Sequence, residues 1–222
     1  LARGTDYRQI LTALKQIDIS PMQVLIEVTI AQVLLTDKLQ AIVGARVENY
    51  ALGLNSRGET LQDLNQTDVS PSVNLIYSVR DDIKLRASAS RTLDRPEFRE
   101  LAPFQFTEAS SLRQLRGNPS LQIASITNLD GKWEWFPNPG EVLSFGLFYK
   151  HLDKPIEQVF FAAASSLYSY QNADSGNLYG AEISARKRLG SDAFWNHFTI
   201  GAGLSLIRSE VTVVPGNGFN PT

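Results

Sequence analysis

The feature that most constrains this chain is a period-two alternation of apolar and polar residues, which recurs from about residue 39 to the end. Around the turn at residues 137–140, one face carries Leu129, Trp133, Trp135, Phe145 and Tyr149. The intervening residues are mostly small, polar or charged. Successive side chains of a strand point to opposite faces, so this pattern predicts antiparallel strands with one apolar and one polar face.

Seven segments carry this pattern. They are residues 39–50, 73–79, 83–89, 129–135, 143–150, 179–186 and 198–206. Residues 157–163 add an irregular eighth candidate. Several patterns continue for about the 9–11 residues that a tilted strand needs to cross a membrane. We therefore predict a mainly β chain, an antiparallel transmembrane β-barrel fragment that is open or incomplete.

The connections between these segments alternate between long and short. Residues 51–70, 93–125 and 153–175 form long, polar or irregular connections, whereas those near residues 81, 138 and 191 are short. Outer-membrane barrels have short periplasmic turns and long extracellular loops. A girdle of Trp133, Trp135 and Phe136 is therefore expected beside a short periplasmic turn.

The alternative fold is a soluble antiparallel sandwich, a ligand-binding module that also alternates apolar and polar residues. Soluble strands usually contain about 5–6 residues, which is shorter than several of the segments in this chain. We favour the barrel for that reason. A sandwich would be a water-soluble monomer, whereas a barrel would need detergent to fold.

Composition and motifs exclude several other classes. The 21 Lys and Arg residues nearly balance 23 Asp and Glu residues, so no nucleic-acid partner is expected. The chain has no cysteine, no phosphate-binding loop and no nucleophile motif, and we predict neither an enzyme nor a cofactor. His151 and His197 lie apart without paired ligands, so no metal site is predicted.

The first residues follow another pattern. Thr5 can cap a helix over residues 5–16, and Pro21 stops it. Residues 24–35 are strongly β-branched and apolar and predict a strand. A short helix-strand element therefore precedes the barrel pattern.

Residues 37–222 resemble the barrel of TonB-dependent outer-membrane receptors. The resemblance rests on residues 43–48, 90–103, 117–121, 149–150, 155–157, 171–173 and 179–182, in this order and spacing. It implies a bacterial outer-membrane receptor for energy-coupled uptake of a siderophore, cobalamin or glycan. Its partners would be outer-membrane lipid, a plug domain, a TonB-type coupling protein and the small-molecule or glycan ligand.

Residues 10–36 instead resemble the periplasmic αβ element of type II secretion and pilus secretins, through the run from Ile17 to Ala31. This resemblance divides the chain into residues 1–36, secretin-like, and residues 37–222, a partial receptor barrel. It also leaves a component of a secretin-type outer-membrane secretion pore as an alternative function.

The polar face supplies the candidate lumen-lining residues. They are Lys84, Arg86, Asp130, Lys132, Glu134, Glu182 and Arg186. Asp94 and Arg95 belong to a charged cluster at the base of a long connection, where ligands of the resembled family bind. Because such receptors have about 22 strands, seven or eight strands are expected to leave the sheet open.

Overall fold

The computed structural model describes residues 23–34, 36–56, 59–107, 113–162, 167–190 and 197–212. These residues form twelve strands and one short helix, α1 (Phe98–Leu101). The strands are β1 (Gln23–Leu34), β2 (Leu39–Ser56), β3 (Glu59–Arg80), β4 (Ile83–Asp94), β5 (Gln105–Thr107), β6 (Gln114–Arg116), β7 (Ala124–Trp135), β8 (Val142–Asp153), β9 (Ile156–Ala162), β10 (Leu167–Asn172), β11 (Ser175–Arg188) and β12 (Thr199–Thr212). The predicted helix over residues 5–16 lies outside the described residues.

The principal sheet has eight strands in the order β1-β2-β3-β4-β7-β8-β11-β12. All seven segments predicted from residue 39 onward are present as strands of this sheet. The order begins at β1 and ends at β12, so within the described residues the sheet is open, as predicted. No helix of the described residues is long and apolar enough to cross a membrane.

Three details of the predicted layout were wrong. The polar connection expected over residues 51–70 is mostly strand, because β2 continues to Ser56 and β3 begins at Glu59. The irregular segment 157–163 joins a second sheet as β9. The eighth strand of the principal sheet is β1, which is next to β2. The first error arose because the added residues of β2 and β3 are largely polar. A strand segment without an apolar face shows no period-two pattern in the sequence.

The pairing register confirms the predicted division of faces. Leu85 lies opposite Trp133, and Trp133 lies opposite Phe145. On the other face, Lys84 lies opposite Glu134. A shift of one residue would exchange the two faces, so these pairs place every side chain of β4, β7 and β8.

Short turns join the strands at one end. Residues 81–82 connect β3 to β4, with a bulge just before the turn. Between β7 and β8, Gly140 has a φ of 87°, a conformation that favours glycine. The Asn138 side-chain amide donates to Glu141 Oε2 at 2.8 Å and stabilises this turn. The Asn138 hydrogen bond lowers the pKa of the Glu141 carboxyl.

The long connections at the opposite end fold into a second sheet in the order β5-β6-β10-β9. Strand β10 pairs antiparallel with β9 and parallel with β6. Helix α1 is joined to the segment after β6 by the hydrogen bond from the Asn118 N–H to the Glu100 carbonyl oxygen, and Leu101, Leu115 and Leu121 are buried to 1% exposure or less. The long connections therefore have a hydrophobic core of their own.

The chain divides into two units. The first contains residues 1–27 and 46–69; in its described part, Tyr50 and Leu52 are buried, and Asn49 Nδ2 donates to Thr67 Oγ1 at 2.9 Å. The second contains residues 28–45 and 70–222. Strands β4 to β12 and helix α1 lie in the second unit, which carries the surfaces described below.

Candidate functional site

One face of the principal sheet exposes large apolar side chains. Leu129, Phe145 and Leu147 are 46%, 44% and 55% exposed, and Leu85 and Ile183 share their face. A contiguous apolar surface of this kind is rare on soluble proteins. It matches the lipid-facing band of a membrane barrel.

The opposite face carries a charged cluster at its centre. Arg86 lies directly opposite Lys132, and Glu134 accepts hydrogen bonds from Arg86 Nε at 2.6 Å and Lys132 Nζ at 3.1 Å. Glu134 is only 8% exposed. Like charges directly opposite each other destabilise a sheet, so the Glu134 carboxylate stabilises this pair by standing between two cations.

The remaining predicted charges of this face are distributed around the cluster. Lys84 Nζ lies 5.9 Å from the centre of the Phe136 ring, and Ser88 Oγ donates to Asp130 at 3.2 Å. Arg186 Nε donates to the carbonyl oxygen of Gly140 at 3.1 Å. Arg186 therefore holds a turn rather than joining the central cluster.

A cavity of about 200 Å³ opens beside the cluster. Asp130, Lys132 and Glu182 line it, and Gly146 lies between Lys132 and Glu182 in the register. Because Gly146 has no side chain, the charged side chains of β7 and Glu182 of β11 lie on either side of an open space. The predicted polar residues of β7 and β11 thus converge on one site.

The predicted aromatic girdle divides between environments. Trp133 lies on the apolar face opposite Phe145, and Trp135 Nε1 donates to Asp82 Oδ2 at 3.0 Å beside the short turn. Phe136 instead contacts Lys84. The two tryptophans combine an apolar ring with a polar edge, the arrangement that suits a membrane interface.

Motif residues from distant parts of the chain meet in the second sheet. Asn118 Nδ2 donates to the carbonyl oxygen of Tyr170 at 2.9 Å, and its backbone N–H donates to the carbonyl oxygen of Glu100 at 2.5 Å. Asn172 Nδ2 donates to the carbonyl oxygens of Gln122 and Lys154 at 2.9 and 2.8 Å. These asparagines therefore join the two long connections.

Gly117 is needed for this packing. A Cβ at Gly117 would lie 2.6 Å from the Ala102 nitrogen and 2.7 Å from the Arg99 oxygen, and it would also clash with the Ala102 oxygen. Backbone atoms cannot move aside cheaply, so only glycine fits this position. The sequence motif at residues 117–121 is thus a packing motif of the outer loops.

The predicted charged cluster at Asp94 and Arg95 lies at the junction between β4 and α1. Within it, Glu100 Oε2 accepts a hydrogen bond from the Glu97 N–H at 2.9 Å and caps the helix. Partial burial raises the pKa of the Glu100 carboxyl. Burial also raises the pKa of Glu157 in β9.

Aromatic and cationic groups that the sequence patterns did not single out lie on the loop surface. Phe98 and Phe104 are 49% and 50% exposed. The Arg113 guanidinium lies 5.0 Å from the centre of the Tyr168 ring, which packs edge-to-face on Phe160. The sequence spacing could not predict that Arg113, Tyr168 and Phe160 lie together, because β6, β9 and β10 are brought together only by nonlocal pairing.

Within the described ranges, no three His, Asp or Glu side chains are placed to hold a metal ion. The charges of the polar face form ion pairs and hydrogen bonds instead. The arrangement can therefore bind polar partners along a surface.

An antiparallel sheet with one lipid-compatible face, one charged face, short turns at one end and folded loops at the other defines the wall of an outer-membrane β-barrel. Residues 25–221 match the family of TonB dependent receptor-like β-barrels, and the chain belongs to this family. Its members are transporters of the bacterial outer membrane rather than enzymes.

Solved structures of low sequence identity share the fold. The ferric enterobactin receptor PfeA of Pseudomonas aeruginosa, in a mutant form, is 17% identical over 84% of this chain and 26% of that chain, with a TM-score of 0.58. The siderophore receptor PirA of Pseudomonas aeruginosa is 15% identical over 86% and 43%, with a TM-score of 0.58. The FrpB iron transporter of Neisseria meningitidis is 11% identical over 100% and 31%, with a TM-score of 0.60.

This chain therefore spans between about a quarter and less than half of these relatives. No functionally curated protein sequence matches it. The family match begins at residue 25 and includes all but the first two residues of β1, which is hydrogen-bonded into the principal sheet. The resemblance of residues 10–36 to secretins, and the division of the chain at residue 36, stay predictions.

Proposed function

We propose that this chain forms part of the wall of an outer-membrane receptor that takes up a ferric siderophore in an energy-coupled step. The observation that carries the proposal is the pairing of an exposed apolar face with an opposite, charged face on the same strands. Lipid is compatible with the first face, and a hydrated lumen with the second. The loop sheet would stand at the extracellular entrance.

The loop surface favours a siderophore over cobalamin or a glycan. Phe98 and Phe104 offer aromatic faces, and the Arg113 guanidinium lies beside Tyr168. Aromatic rings and guanidinium groups suit an anionic iron chelate that carries aromatic rings of its own. The names of the similar structures, an enterobactin receptor and a siderophore receptor, support the same substrate class.

The charged face would receive a plug domain that a TonB-type protein pulls on. The cavity between Lys132 and Glu182, with Asp130 at its edge, has room for a polar side chain of such a domain. Both signs of charge are present, so the wall can bind either kind of polar group. Lys84 and Glu134 would extend this surface toward the short turns.

The test is uptake of labelled ferric siderophores, cobalamin and oligosaccharides by cells that depend on this protein. We expect uptake of a catecholate chelate that ceases when the TonB-type protein is deleted. Arg113→Gln should weaken chelate binding by about tenfold, the effect of one lost charge-assisted contact. Arg99→Gln is the control, since Arg99 is exposed and paired with Glu97. Uptake of cobalamin or a glycan instead would contradict the proposed substrate class.

A further inference from the structure

A groove of about 450 Å³ lies on the apolar face of the principal sheet. Its floor consists of Ala87, Ala89 and Gly131, and its walls include Leu75, Leu147 and Tyr149. A Cβ at Gly131 would meet no atom within 4 Å. The run of small residues thus leaves a channel between large apolar side chains.

A cation stands at the outer end of this groove. Arg91 follows Ala89 by two residues on the same face of β4, which places it about 7 Å farther toward the long loops. Arg91 is exposed and makes no ion pair with any residue that the structure describes. Its neighbours in the register on β7 and β8 are Thr127 and then His151.

Polar hydrogen-bonding groups continue from Arg91 across the sheet. His151 Nδ1 lies 2.9 Å from Asn177 Oδ1, and the Tyr149 hydroxyl donates to the same oxygen at 2.7 Å. On the outer face of β4, β7 and β8, no carboxylate occurs from the short turns up to the level of Arg91, and Asp153 lies one step farther out. The lipid-facing surface therefore changes from apolar to cationic and polar at this level.

We infer that this groove binds one acyl chain of a phosphorylated glycolipid of the outer leaflet, with the phosphate on Arg91. A guanidinium binds phosphate through parallel hydrogen bonds, and Thr127 and His151 can bind sugar hydroxyls beside it. Arg91 has no carboxylate partner among the described residues, so an anionic phosphate headgroup at the end of an apolar groove supplies the charge that complements it. The site is independent of the substrate that the receptor transports.

Native mass spectrometry of the protein extracted from the outer membrane in mild detergent tests this site. The probes are phosphorylated lipid A, the same lipid without phosphate, and phosphatidylglycerol. We expect phosphorylated lipid A to bind at least about tenfold more tightly than the dephosphorylated lipid. Equal binding of the two forms, or tighter binding of phosphatidylglycerol, would overturn the assignment.

Two matched pairs of variants locate the site. Arg91→Gln should lower the affinity about tenfold, whereas Arg208→Gln, on the same face but paired with Glu210 and four strands away, should not. Gly131→Leu should fill the groove and lower the affinity, whereas Ala181→Leu, in the same row outside it, should not. If Gly131→Leu prevents folding, the two arginine variants decide. Equal effects of Arg91→Gln and Arg208→Gln would refute the site.

Discussion

Replacing Leu147 by arginine would place a charge at the centre of the apolar face. Leu147 is 55% exposed and lies opposite Gly131 and Ala181. Strand β8 has 12 residues, and at about 3.3 Å per residue with a tilt of about 45° it spans roughly 28 Å, close to the apolar band of a barrel. As the sixth residue of this strand, Leu147 lies near the membrane midplane.

We expect Leu147→Arg to lower the free energy of unfolding by about 2–4 kcal/mol, which corresponds to roughly a 30-fold to several hundredfold change in the folding equilibrium. Urea-induced unfolding from lipid vesicles, followed by tryptophan fluorescence, measures the change. The cost arises because the guanidinium must lie in hydrocarbon or reach the interface along its own stem.

The matched control is Ser205→Arg, because Ser205 is exposed and lies opposite Glu182 on the other face. Ser144 is unsuitable for this purpose, since it is 4% exposed and its hydroxyl lies 2.7 Å from that of Ser184. If Leu147→Arg destabilises the protein no more than Ser205→Arg does, the assignment of the apolar face to lipid is refuted.

Three further variants probe other contacts. Gly180→Ala places a Cβ 2.5 Å from the Phe148 ring, and overpacking should lower the unfolding free energy by about 1–3 kcal/mol. Glu134→Ala leaves Arg86 opposite another cation, but both cations are about half exposed and screened by solvent, so it should lower the unfolding free energy by about 1 kcal/mol. Burial raises the pKa of the Glu100 carboxyl, so the protonated side chain stabilises the loops in acid, and this stability is lost as the pH rises through the raised pKa. Glu100→Gln should remove this pH dependence, which hydrogen-exchange protection of the loop amides measures.

Each of these variants has a comparison that isolates its cause. Gly131→Ala should change the urea midpoint little, because nothing lies within 4 Å of the added methyl group. Lys132→Ala should cost less than Glu134→Ala, since the carboxylate keeps its 2.6 Å contact with Arg86. An unchanged pH profile after Glu100→Gln would count against the role of burial at that carboxyl.

Strand positions and faces could be predicted from the sequence because both depend on a local period of two. All seven predicted segments are present as strands of the principal sheet, with Trp133 and Phe145 on one face and Lys84 and Glu134 on the other. The polar ends of β2 and β3 could not be predicted, because a strand without an apolar face shows no periodic pattern in the sequence.

The loop sheet could not be predicted in the same way. Strand β6 pairs in parallel with β10, with Leu115 opposite Tyr168, and such a contact leaves no trace in the local pattern. The resemblance to receptor barrels identified residues 117–121 and 171–173 as motifs, yet their common role as the joint between two loops required the tertiary structure.

The sequence by itself determined which residues share each face of the sheet, since a strand's side chains alternate whatever its neighbours are. Which charges meet depends on register and strand order, and these were decided only by the assembled sheet. Arg86, Lys132 and Glu134 form one cluster because β4 and β7 pair across about 30 residues of intervening loop. The groove below Arg91 exists for the same reason, because its floor is shared by two strands that are distant in the chain.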